Sequence, residues 1–117
     1  MNIIVAARRK WIQALHYRNM YNMLDCYHKN HTFKGTLVRK VTYSKNDLDD
    51  YFTNLFQLRP SVTFVKSDVK KIDGLYFDSG TYVFTFPLTK QVDANYQFVY
   101  KVEEGEAKIV SHFSSSI

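Results

Sequence analysis

The sequence predicts an α+β fold in which N-terminal helices pack on one face of a curved antiparallel β-sheet. Apolar residues first recur at helical spacing and then, beyond Pro60, alternate in runs rich in β-branched and aromatic residues. Turn signals such as Asp73-Gly74 and Glu104-Gly105 join these runs over short distances, which favours antiparallel hairpins. The strand–helix alternation of a parallel nucleotide-binding fold is not found in this order of elements.

Two helices are expected before the sheet. The first spans about residues 6–24, where Trp11, Leu15 and their apolar neighbours recur every three or four positions. The second begins at Ser44, whose side chain can accept hydrogen bonds from first-turn amides, and it ends at Arg59-Pro60. Between the helices, we expect residues 25–31 to be irregular and residues 32–43 to be extended.

Four strand-like runs follow, over residues 61–72, 75–86, 92–102 and 106–116. Alternation along the last three runs separates a face rich in aromatic rings from a face of amides, hydroxyls and an imidazole. So many exposed rings would exceed the apolar patch that a monomer tolerates, so the aromatic face must be covered. It is covered either by the helices, as an ordinary core, or by a second subunit.

Length and composition indicate one domain over residues 1–117. Hydrophobic residues make up 45% of the chain and charged residues 23%, which excludes a disordered protein. The net charge of +5 comes without the spaced aromatic residues of an RNA-binding strand, so we expect no nucleic-acid partner. A single cysteine needs no oxidising compartment and no apolar run could span a membrane, so we expect a cytoplasmic protein without a membrane partner.

Three segments, taken in order, are similar to a known superfamily: YHKNHTFKGTLV with NDLDDYF, DSGTYVFTF, and ANYQFVYKVEEGEAKIVSHFSSS. They resemble SnoaL-like members of the nuclear-transport-factor-two-like superfamily, in the branch of the SgcJ/EcaC-type proteins and the calcium/calmodulin-dependent kinase II association domain. The resemblance covers residues 8–116 and implies a cystatin-like cone with a cavity between helices and sheet, dimerised through the sheet. Asn95, Ala107 and Phe113 stand where the family has Arg, Trp and a second His. The missing Arg removes a fixed cation from the expected pocket.

These observations lead to one main functional hypothesis, a homodimer that binds a small apolar or weakly polar molecule without catalysis. The expected pocket has an apolar wall of Trp11 and Tyr17, with hydrogen-bonding groups from Asn95, Gln97, His112 and Ser114. The expected dimer interface consists of Tyr82, Phe84, Tyr96, Phe98, Tyr100 and Phe113. No cofactor or metal is expected, because Cys26, His28 and His31 have no fourth ligand nearby.

Two alternatives remain open. An imidazole in a shielded cavity can act as a general base, so the protein could be a cofactor-independent isomerase, dehydratase or cyclase that uses His112. A structural histidine bonded to a neighbouring hydroxyl is the simpler interpretation of the same residue. No carboxylate is expected in the cavity, since Asp78 is interpreted as a turn residue and Asp93 lies near a strand end. The second alternative is an oligomerisation module like the kinase association domain.

Overall fold

Helices and a five-stranded sheet make up the computed structural model, which describes residues 2–88 and 90–117. The elements are α1 (Asn2–His16), α2 (Met20–Asp25), β1 (Tyr27–Lys34), α3 (Lys45–Phe56), β2 (Ser61–Ile72), β3 (Leu75–Thr85), β4 (Gln91–Glu103) and β5 (Glu106–Ser116). The strand order is β1-β5-β4-β3-β2. The predicted α+β class is confirmed, but β1 runs parallel to β5, so the curved sheet is mixed. Within the described residues, no helix is long and apolar enough to cross a membrane.

The predicted helix over residues 6–24 is in fact two helices. The backbone breaks at Arg18, which has a left-handed φ of 54°. Asn19 then caps α2, because its side chain accepts a 3.0 Å hydrogen bond from the amide of Asn22. The predicted start of the next helix is confirmed, since Ser44 accepts a hydrogen bond from the amide of Asp47 at 3.1 Å.

The region between the helices differs from the prediction. Residues 27–31, expected to be irregular, form most of β1, whereas the expected extended run over residues 32–43 largely leaves the sheet after Lys34. A single bridge between Phe33 and Thr42 holds that loop. The strand forms here because its backbone pairs with β5, about 80 residues away in the chain, which local propensity does not reveal.

The aromatic face of the sheet is the core of the protomer. Helices cover it, and the exposed fraction is at most 5% for Tyr82, Phe84, Tyr96, Phe98 and Tyr100. The prediction that these five rings form a dimer interface is therefore wrong, because a partner subunit cannot reach rings enclosed within the protomer. Their burial removes the exposed apolar patch that required a partner.

The opposite, convex face carries two of the residues that were expected to line the pocket, Asn95 and Gln97. Asn95 and Gln97 are exposed there, and Gln97 pairs across the strands with Phe113, which is 39% exposed. The expected alternation of the two faces breaks at Val110, where the pairing of β5 with β4 shifts by one residue. As a result, His112 faces the same interior as Ile109.

Candidate functional site

A chain of hydrogen-bonded side chains crosses the aromatic core, and we call it the polar chain. α1, β1, β5, β3 and the loop after β1 contribute its members, which in order are Trp11, Tyr27, His112, Tyr82, Ser114 and Thr36. All six side chains are buried. Buried polar groups are stable only when they are hydrogen-bonded, so this continuity explains how an otherwise aromatic core holds them.

The hydrogen bonds on either side of the imidazole assign its tautomer. Tyr82 donates to Ser114 Oγ at 2.7 Å, so its oxygen is free to accept from Nε2–H of His112, 3.1 Å away. Nδ1 then accepts from the hydroxyl of Tyr27 at 2.8 Å, and that oxygen in turn accepts from the Trp11 indole at 3.1 Å. Every donor in this half of the polar chain has an acceptor when His112 is neutral and carries its proton on Nε2.

Burial keeps that imidazole neutral. The His112 ring is 3% exposed and stacks on Phe98 with 4.1 Å between ring centroids. Desolvation lowers its pKa to about 3, because the cation would lose its hydration without gaining a carboxylate partner. Burial likewise raises the pKa of Tyr27 and of Tyr82, so both hydroxyls stay protonated at neutral pH.

The interior hollow beside the polar chain is nearly closed. It leaves about 10 Å³ for the centre of a water-sized sphere, between Trp11, Phe33 and Thr36 on one side and Tyr82 and His112 on the other. A single water needs about 10–15 Å³ by this measure. The aromatic rings therefore fill the space where the sequence predicted a ligand cavity.

An apolar groove opens directly outward from this hollow. It has a volume of about 230 Å³ and lies between α3, the loop after β1 and the β3–β4 connection. Thr36, Tyr51, Leu55 and Phe84 line both the hollow and the groove. The groove continues into a larger region of about 700 Å³, the outer trough, which shares Leu37, Leu58, Phe86 and Val92 with it.

Gly35 allows the loop after β1 to form the wall of the groove. A Cβ atom at this position would overlap the ring of Tyr51 on α3. The missing side chain therefore lets the loop approach α3 closely enough to bury Thr36 at the inner end of the groove.

The structure brings three of the six predicted pocket residues together. Trp11, His112 and Ser114 belong to the polar chain and border the interior hollow. Tyr17 lies beyond the end of α1 and is 72% exposed, because the chain turns away at Arg18. With Asn95 and Gln97 on the convex face, the predicted set does not form one site. The groove residues Leu37, Leu55 and Val92 were missed, since only the contact between α3 and the strand ends unites them.

A buried ion pair was also missed. Asp78 is fully buried in β3, where its carboxylate accepts hydrogen bonds from Arg8 Nη2 at 2.7 Å and from the Tyr96 hydroxyl at 2.9 Å. The interpretation of Asp78 as a turn residue is wrong, because it lies inside a strand and anchors α1 to the sheet. Arg8 stands four residues after Ile4 and three before Trp11, so its place on the apolar stripe of α1 was the available signal.

Both histidines of the possible metal cluster have other hydrogen-bond partners. Nδ1–H of His31 is 2.8 Å from the carbonyl oxygen of His28, whose Nε2 lies 2.9 Å from Glu103. Burial raises the pKa of Cys26 to about 12, so its thiol stays protonated. Within residues 2–88 and 90–117, no three potential ligands lie close enough together to hold a metal ion.

Comparison with known proteins gives structural matches only. No protein-family model matches the sequence, and no curated protein matches it. A proposed calcium/calmodulin-dependent protein kinase II association domain from Xanthomonas campestris is 26% identical, with a TM-score of 0.90 over 97% of this chain and 85% of that chain. A proposed dehydratase of the NTF2-like family from Streptomyces avermitilis is 8% identical, with a TM-score of 0.86 over 99% and 95%. A protein of unknown function with a cystatin-like fold from Nostoc punctiforme is 8% identical, with a TM-score of 0.83 over 98% and 89%.

These matches agree with the order of the elements and with the curved sheet. The low identities of the second and third structures show the fold alone. The chain thus has a cystatin-like fold, and its structural neighbours include NTF2-like proteins, which fits the superfamily resemblance seen in the sequence.

Proposed function

We propose that this protein binds a small apolar or weakly polar molecule in the groove between α3, the loop after β1 and the β3–β4 connection. The observation that carries the proposal is that the groove reaches the polar chain, whose last member, Thr36, lies at the inner end of the groove. Ligand sites in proteins are typically apolar concavities with a few placed polar groups, and the groove has this character.

The lining explains how such a ligand would be held. Tyr51, Leu55, Phe84 and Val92 present rings and aliphatic carbons to the groove, so binding would remove apolar surface of both partners from water. The hydroxyl of Thr36 is 2.7 Å from Ser114 Oγ. An apolar ligand therefore leaves Thr36 satisfied, and a weakly polar one gains an additional hydrogen-bond partner.

The state of His112 favours binding over catalysis. A general base at neutral pH needs a pKa near the working pH, whereas the pKa of His112 is lowered to about 3. Both ring nitrogens are already engaged by tyrosine hydroxyls at 2.8 and 3.1 Å. We therefore favour the structural interpretation of His112, and the proposed dehydratase among the matches shares only the fold.

A steric variant tests the groove. Asn54 lies on α3 in the groove lining, whereas its neighbour Thr53 is exposed and does not line it. We expect Asn54→Trp to weaken binding of the uncharged fluorescent probe N-phenyl-1-naphthylamine by about 10-fold or more, equivalent to about 1.4 kcal/mol. Thr53→Trp is the matched control and should keep the wild-type dissociation constant within about twofold. Equal affinities in both variants, or no binding by the wild type, would contradict the proposal.

We further propose that two copies associate through the convex face of the sheet. Phe113 is half-exposed there, beside Gln97, and Phe77 lies on the same face across Val99. A solvent-exposed ring among amides and hydroxyls resembles the mixed composition of non-obligate interfaces. One of the matched structures is also named as an association domain.

Light scattering tests this association. Phe113→Glu should convert the dimer to a monomer, because it places a charge at the centre of the proposed contact. Tyr21→Glu makes the same charge change at another exposed aromatic side chain, on α2 rather than on the sheet, and should leave the dimer intact. A monomeric wild type would refute the association, and rings of more than two copies would favour the oligomerisation module.

A further inference from the structure

We propose that the ligand of the groove is a long-chain carboxylate, with its hydrocarbon chain in the groove and its charge in the outer trough between Arg59 and Lys90. This inference rests on the proposed function, since it specifies the chemistry of the molecule bound at that site. It keeps an apolar chain in the groove and adds a negative charge at the end that lies outside the groove.

The charge of the outer trough is the first argument. Arg59 and Lys90 line it together with the side chains of Leu37, Leu58, Phe86 and Leu88. Among the described residues that line the groove or the trough, none is acidic. Both cations are exposed, and neither forms an ion pair with another described residue. The trough therefore offers two uncompensated positive charges beside an apolar surface, which is complementary to an anionic amphiphile.

The polarity gradient along the site fixes the orientation of the ligand. The inner end of the groove has no cation among its described lining residues, and its polar side chains are Thr36, Tyr51 and Asn54. A carboxylate placed there would lose its hydration without gaining an opposite charge. In the trough, the same carboxylate stays hydrated and meets Arg59 and Lys90. The hydrocarbon chain therefore points inward and the charge outward.

The shape of the site favours a single molecule over a membrane surface. Leu37, Leu58 and Leu88 are exposed around the trough, so this surface could in principle touch lipid. The apolar surface does not end at the rim, however, and continues inward between Leu55 and Phe84 as far as Thr36. A flat bilayer surface cannot enter such a groove, whereas one alkyl chain can.

Calorimetry with three ten-carbon probes tests the inference. We expect decanoate to bind about 10-fold more tightly than 1-decanol at low ionic strength, because each exposed ion pair adds a modest amount to binding. Decylamine should bind more weakly than 1-decanol. Octanoate should bind less tightly than decanoate by about fourfold per methylene removed. The preference for decanoate should shrink as salt is added.

Charge variants test whether Arg59 and Lys90 cause the preference for decanoate over 1-decanol. The double variant Arg59→Gln/Lys90→Gln should lose the preference for decanoate while keeping the affinity for 1-decanol within about twofold. Arg9→Gln is the matched control, since it removes an exposed cation on α1 that lines neither the groove nor the trough. It should leave both affinities unchanged.

The outcomes separate this inference from the proposed function. If decanoate and 1-decanol bind equally, and the double variant changes neither, the inference is wrong while the binding groove stands. If none of the probes binds, the proposed function fails as well. Sedimentation with phosphatidylglycerol vesicles that depends on Arg59 and Lys90, without binding of monomeric decanoate, would overturn the inference in favour of a membrane surface.

Discussion

Acid should destabilise this protein through the buried imidazole of His112. In the folded chain its pKa is lowered to about 3, against the usual value of 6.5 that it regains on unfolding. Between these two values the unfolded chain binds a proton that the folded chain excludes. Stability is therefore fully present above pH 6.5 and is lost progressively as the pH falls toward 3.

The size of the effect follows from the two pKa values. Each pH unit within the window costs about 1.4 kcal/mol. From pH 7.5 to pH 5.0 the free energy of unfolding should fall by about 2 kcal/mol through His112 alone. Burial also lowers the pKa of His31, which adds a loss of the same sign.

A difference between two proteins isolates the contribution of His112. Urea unfolding of the wild type and of His112→Phe at pH 7.5 and 5.0 gives four free energies of unfolding. When the change with pH in the variant is subtracted from that in the wild type, the contributions of His31 and of the carboxylates cancel. The variant should be less stable at pH 7.5, because Tyr27 loses its acceptor. The difference in the free energy of unfolding between the two proteins should be smaller by about 2 kcal/mol at pH 5.0.

If this difference in the free energy of unfolding is the same at both pH values, the account of His112 is refuted. If the variant does not fold, NMR of the wild-type imidazole gives the same information. Its carbon and nitrogen shifts should show the Nε2–H tautomer and no titration between pH 7.5 and 5.0. A midpoint near 6.5 would contradict the burial and bonding of His112.

Two further pairs of substitutions test the other buried polar groups, each against a less buried or less central one. Tyr82→Phe should lower the free energy of unfolding by about 2–3 kcal/mol, because Nε2–H of His112 loses its acceptor, whereas Thr36→Val at the end of the polar chain should cost only about 0.5–1.5 kcal/mol. Similar decreases in the free energy of unfolding for Tyr82→Phe and Thr36→Val, measured in urea, would contradict the placement of Tyr82 inside the polar chain and of Thr36 at its end. Asp78→Asn should cost about 3–5 kcal/mol by leaving Arg8 partly buried without its partner, whereas Asp25→Asn, in a half-exposed lysine cluster, should cost less than about 1 kcal/mol. A smaller loss for Asp78→Asn than for Asp25→Asn would contradict the anchoring role of Asp78.

The helices and hairpins could be predicted because their signals are local. Ser44 and Asp47 begin α3 as expected, and the turns at Asp73-Gly74 and Glu104-Gly105 have positive φ at both residues. Each of these features depends on contacts within a few residues. The break between α1 and α2 lacks such a signal, since Arg18 adopts its left-handed conformation without a glycine or proline nearby.

The faces of the sheet could be predicted only in part. Alternation correctly grouped the rings of β3 and β4, but it could not show the register shift at Val110 that turns His112 inward. The ion pair of Asp78 joins residues 70 positions apart in the sequence, and the groove needs α3 and the β3–β4 connection to meet. Such contacts arise from tertiary packing, so the periodicity of one segment does not predict them.

A structure determined from crystals grown with decanoate tests the central claim most directly. The claim is that the binding site is the groove between α3, the loop after β1 and the β3–β4 connection, outside the aromatic core. The account predicts an alkyl chain between Leu55, Phe84 and Val92, ending near Thr36, with the carboxylate beside Arg59 or Lys90. Electron density for the chain inside the aromatic core next to His112, or a groove sealed by a second copy with no ligand in it, would contradict the account.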